Sequence, residues 1–110
     1  MSEQQTNMYE GLQKITGLWV HGESFEGKNI LVVKGEVKNE KQRYEIYATD
    51  KQKDTSVRIG MIWQGKTRND KNYYFGYMFD SRAIVLRNKK SNEKQPDWNL
   101  FITKKEYNKK

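Results

Sequence analysis

Tyr73, Phe75, Tyr77 and Phe79 occupy alternate positions of the segment Lys71–Phe79, KNYYFGYMF. In an extended strand successive side chains point to opposite sides, so the four rings would share one face. The chemistry open to such a row is stacking. Nucleobases of any identity stack on aromatic rings, at roughly 1–3 kcal/mol per base, while cations alongside hold the phosphates. Those cations are close in sequence: Arg58, Lys66, Arg68, Arg82, Arg87, Lys89 and Lys90 crowd the strands and loops around the row. Together with Tyr73 and Tyr77 they form a candidate nucleic-acid-binding set, whose affinity should fall as salt rises. The same row also suits a core. It offers far more apolar area than the opposing Asn72, Tyr74, Gly76 and Met78. It is therefore expected to face inward, with the tyrosine hydroxyls drawing one end to the surface.

Catalytic groups are sparse. His21 is the only histidine, so a histidine-based metal cluster is out of reach and zinc would have to rely on carboxylates. Gly65, Lys66 and Thr67 match only the end of a phosphate-binding loop, without the upstream glycine or the following helix. Glu36 and Glu45 are expected to meet across a hairpin, where paired carboxylates can do acid–base work. Lys34 and Arg43 lie on the same faces, so cross-strand ion pairs are the simpler outcome. Asp97 sits between the only proline and Trp98, and is expected to cap its turn through nearby backbone N–H groups. A non-enzymatic protein without metal or cofactor is expected.

The elements that must position these residues are short. The 110 residues suffice for one domain. Hydrophobic content is 35% and charged content 32%, so the core must be economical and aromatic. Period-two alternation recurs in seven bursts: 15–20, 29–37, 43–49, 55–64, 71–79, 82–87 and 97–103. The loop 21–28 contains two glycines, and Asp80-Ser81 reads as a hairpin turn. Trp19 and Trp63, at matching strand ends, read as core anchors, with exposed stacking groups as the alternative. Gly60 and Gly76 inside strands mark a bulge, a bend or a close neighbour. The expected fold is all-β: a single antiparallel barrel or two-sheet sandwich spanning 12–103. A polar tail (1–11) precedes it and a basic tail (104–110), with a frayed helical turn, follows.

A weak repeat suggests two related halves. Ile15–Trp19 echoes Ile59–Trp63, Lys28–Leu31 echoes Lys71–Tyr74, and Arg43–Tyr47 echoes Asp97–Phe101. The charge divides along the same line. Residues 1–55 hold eight Lys/Arg against nine Asp/Glu, and residues 56–110 hold thirteen against five. A charge confined to half of a small domain attracts polyanions or an acidic protein surface.

Arg58-Ile-Gly-Met-Ile-Trp63 followed by Tyr73, Tyr74 and Gly76, with the close Leu86–Lys90 and Gln95-Pro-Asp-Trp98, resembles a group of small proteins of unknown function from bacteriophages, plasmids and integrated elements. The resemblance covers residues 58–102. It implies a small accessory protein of a phage or mobile element in the cytoplasm of a bacterial host. The absence of cysteine fits a reducing compartment. No run reaches the ~18 apolar residues that span a bilayer, and the first residues lack the pattern of a secretory signal.

Two functions fit these features. One is binding of nucleic acid, single-stranded in preference to duplex, since no recognition helix is evident. The other is a protein–protein effector, such as an inhibitor of a host defence nuclease, using the positive half or the edge strands of an open sheet, edges that would also permit a homodimer.

Overall fold

The computed structural model describes residues 11–66 and 71–106, with the side chains of the last strand described as far as 103. Eight antiparallel strands form one closed barrel in which each pairs with its neighbours in chain order and the last returns to the first. They are β1 (Gln13–His21), β2 (Ser24–Gly27), β3 (Ile30–Lys38), β4 (Lys41–Asp50), β5 (Thr55–Lys66), β6 (Asn72–Met78), β7 (Ser81–Arg87) and β8 (Trp98–Glu106). The all-β barrel is as expected, and the sandwich is not formed. The eighth strand is β2, read from sequence as loop. Only four residues long, it pairs with β1 and β3 and sends Phe25 inward. Residues 104–106 continue β8 and form no helical turn. The first ten residues and 107–110 lie outside the described residues.

An eight-stranded barrel is just wide enough for side chains to fill it. Leu18, Val32, Ile46, Ile62, Val85 and Leu100 are fully buried inside, each stabilising the fold by roughly 1.5–3 kcal/mol. One end is filled by four rings. Phe25 stacks on Tyr44 at 5.6 Å, Tyr74 meets Tyr44 edge-on at 5.2 Å, and Trp98 meets Tyr74 at 5.1 Å. Burial pushes the Tyr74 hydroxyl up to about 12, helped by the Tyr44 hydroxyl bonded to it.

The two halves superpose by register. Ile15 is the extra residue of a bulge in the β1–β8 pairing, and Ile59 is its counterpart in β5–β4. Counting from these bulges, Leu18 matches Ile62, Trp19 matches Trp63, Tyr44 matches Trp98 and Ile46 matches Leu100. Carrying the register across the next strands matches Phe25 with Tyr74 and Gly27 with Gly76. The four interior rings are thus two equivalent pairs. Two of the three sequence echoes follow this frame. The third does not: residues 30 and 31 lie on β3, whereas Asn72–Tyr74 lie on β6, whose counterpart is β2.

Tight closure decides which face of β6 looks inward. A Cβ on Gly76 would run into the Met61 carbonyl oxygen, and one on Gly60 into that of Tyr77. The β5 and β6 backbones pass too closely on the inner side to admit a larger residue at either position. The inner residues of β6 are therefore Tyr74, Gly76 and Met78. The expected inward row of Tyr73, Phe75 and Tyr77 is on the outside.

Candidate nucleic-acid interface

The outward residues of β5–β8 form a continuous apolar face. In register across the strands run Trp63, Phe75, Ile84 and Phe101. All four are half-buried. Phe75 meets Trp63 edge-on at 5.3 Å and lies nearly parallel to Tyr73 at 5.5 Å. Met61, Tyr77 and Leu86 extend the face. Trp19 and Trp63 are both outward and not core anchors, with Trp19 38% exposed. Arg43 borders the face: its guanidinium lies 5.9 Å from the Trp63 ring centroid and Nη1 donates to Met61 Sδ at 3.5 Å. A cation over an indole face is held by the ring quadrupole.

The face opens at one end into a shallow groove lined by Lys71, Asn72, Tyr73, Leu86, Arg87 and Lys89 together with Asn88. Among the described residues, three cations and a tyrosine ring line this groove, and no carboxylate does. The Arg87 guanidinium lies 5.0 Å from the Trp98 ring centroid, which fixes its position at the barrel mouth.

The predicted cations do not gather into one patch. Arg87 and Lys89 share the groove with Tyr73, and Lys66 stands in register with Asn72 at the same barrel end. Arg82 lies opposite Tyr77 on β7. Arg58 is at the far end of β5, paired with Glu45 at 3.9 Å. Glu45 also accepts from the Tyr47 hydroxyl at 2.8 Å, a bond that pushes the tyrosine's titration upward. Lys90 is engaged by Asp97 at 2.8 Å. Arg68 lies outside the described residues. Ile84, Phe101, Arg43 and Lys71 adjoin this face and groove but escaped the sequence reading, whereas Phe75 was named in the aromatic row and Trp63 as a stacking group only in the alternative. Their signal was the outward parity of β5 and β6, which rests on the inward glycines.

Other polar expectations change partners. The β3–β4 register sets Glu45 opposite Val33 and breaks near Glu36, so no carboxylate pair forms across this hairpin. Lys34 pairs instead with Glu23, and Glu45 with Arg58. Asp97 does accept a backbone N–H, but that of Val20 on distant β1, at 2.9 Å. With Trp19 Nε1 donating to the Lys94 carbonyl, this straps the 88–97 loop onto β1. The bond from Lys90, followed by that from Val20, holds the Asp97 carboxyl below the usual range. Among the described residues no three His, Asp or Glu side chains come together to hold a metal ion, and no helix is long and apolar enough to cross a membrane. No protein-family model, no curated protein and no solved structure matches this chain.

Proposed function

We propose that this protein is a non-enzymatic module that binds single-stranded nucleic acid on the outer face of β5–β8. The observation that carries the reading is the continuity of the Trp63–Phe75–Tyr73 rings with a groove lined by Lys71, Arg87 and Lys89. Bases stack on the rings and phosphates enter the groove, which is the division of labour single-strand platforms use. A duplex would present its bases edge-on in a groove and leave these ring faces unused. The setting that accords with the sequence resemblance is a phage or mobile-element accessory protein in a bacterial cytoplasm.

The test is fluorescence anisotropy of a labelled twelve-nucleotide strand at two salt concentrations. Micromolar or tighter binding is expected at low salt, weakened steeply by salt, by Tyr73→Ala and by Arg82→Ala. No binding at low salt overturns the reading.

A second reading, a protein–protein effector such as a nuclease inhibitor, draws on Ile84, Leu86 and Phe101 in the same face. These side chains suit a protein partner as well as a base. In a closed barrel such a partner, or a second copy of this chain, would dock face-on and not by adding a strand to an open sheet.

A further inference from the structure

The turn joining β6 to β7 consists of Phe79 and Asp80, since Met78 pairs with Ser81. It begins one residue earlier than Asp80-Ser81, the turn expected from sequence. Phe79 has a φ of +57°, a left-handed conformation that is unfavourable for a residue with a Cβ. Two-residue hairpin turns that need positive φ at their first position favour glycine there. The other non-glycine residues with positive φ, Asn29, Asn39, Glu40 and Asp54, are all polar. Phe79 is also 69% exposed, the highest value among the exposed large hydrophobic side chains. Its ring gains little from burial, and its backbone is fixed by the N–H it donates to the Ile59 carbonyl at 2.8 Å. An unfavourable backbone conformation that displays an uncovered ring is the kind of outlier that points to a use outside the fold.

Its place in the barrel indicates that use. Phe79 follows Tyr73, Phe75 and Tyr77 one residue past the end of β6, roughly 20 Å from Tyr73 at about 3.3 Å per residue. Arg82 is opposite Tyr77, and Arg58 lies at the same barrel end. A strand held in the cationic groove and laid along β6 arrives at Phe79 after about six stacked nucleotides, at roughly 3.4 Å each. We infer that Phe79 is a wedge that inserts between bases of a bound single strand at the end of the platform opposite the groove. The inference rests on the nucleic-acid reading above and deepens it.

The test pairs affinity for a twelve-nucleotide strand with the melting temperature of the full chain. Phe79→Gly relieves the turn, so the melting temperature should rise by roughly a few degrees. Affinity should fall about tenfold, the loss of one stacked base. Phe79→Trp keeps a ring and should retain the wild-type affinity. If wild type binds and Phe79→Gly binds equally well, the wedge is overturned while the platform stands. If Phe79→Gly lowers the melting temperature, the ring serves the fold and the inference is again overturned. If wild type does not bind the strand, both readings fall together.

Discussion

The two halves of the barrel share a scaffold and differ in what they show to solvent. Following the register from each bulge, the outward row of the first half is Trp19, Glu26, Leu31 and Tyr47. The equivalent row of the second half is Trp63, Phe75, Ile84 and Phe101. One exchange, glutamate for phenylalanine, separates a mixed surface from an unbroken apolar one. Glu26 also draws His21 to 3.7 Å, whereas Phe75 packs Trp63 and Tyr73. The residues beside the two tryptophans differ as well. Arg43 lies over Trp63, while Asp97, at the matching position, straps a loop whose Lys94 carbonyl accepts from Trp19. In the first half the loop ties down the indole N–H of a tryptophan that stays 38% exposed, and in the second Arg43 borders a half-buried indole. The halves therefore match on the inside, while an unbroken apolar row is confined to one outside.

The largest effect expected from testing this comparison concerns the shared interior. Gly76→Val drives a side chain into the Met61 carbonyl and should cost more than about 3 kcal/mol, abolishing a cooperative melting transition. Gly27→Val, at the equivalent position, meets the Gly17 carbonyl oxygen at 2.6 Å and should be destabilising but less so. Equal costs in denaturant unfolding would undo the proposed ranking.

Tyr74→Phe makes the second half like the first, where Phe25 stands at that place. The folded protein holds the Tyr74 proton up to about 12, while the unfolded chain releases it near pH 10. The stabilisation is complete below about pH 10 and is lost as pH rises through about 12, by roughly 2 kcal/mol. Thermal melts across that range should fall in wild type and flatten in the variant.

Asp97→Asn addresses the strap. Its folded titration is depressed, so the stability it contributes is present above the ordinary carboxylate range and is lost as pH falls through the folded value. Wild type should lose stability below about pH 4 more steeply than Asp97→Asn, and at neutral pH the variant should be weaker by about 1 kcal/mol. Parallel acid limbs would show that the strap carries no such load.

The smallest effect is on salt dependence. Each phosphate contact to a single strand contributes about −0.7 to the slope of log K against log salt. Lys89→Ala should make the slope shallower by that amount, whereas Lys34→Ala on the first half should leave it unchanged.

Much of the barrel could be read from alternation alone. Strands β5 to β7 lie within about two residues of the expected segments because turn-forming residues bound them, whereas β8 runs on past Thr103. Strand β2 was missed because four residues flanked by glycines carry too little pattern. The direction of the aromatic row was missed for a more instructive reason. Apolar area argued that the larger rings should be buried, but closure of a narrow barrel is limited by volume. The side bearing Gly60 and Gly76 had to face inward, and the rings opposite were left outside. The candidate cations follow from residue type alone, but the strand register separates Arg58 and Arg82 from the groove, and no local feature of the sequence announces that separation.

The most direct test of the claim that the second half alone binds is an exchange between the two rows, read by anisotropy of a labelled single strand at low salt. Phe75→Glu gives the second half the residue of the first. It should weaken binding more than tenfold with little change in melting temperature, while Glu26→Gln leaves affinity within about twofold. Wild-type affinity in folded Phe75→Glu would contradict the account.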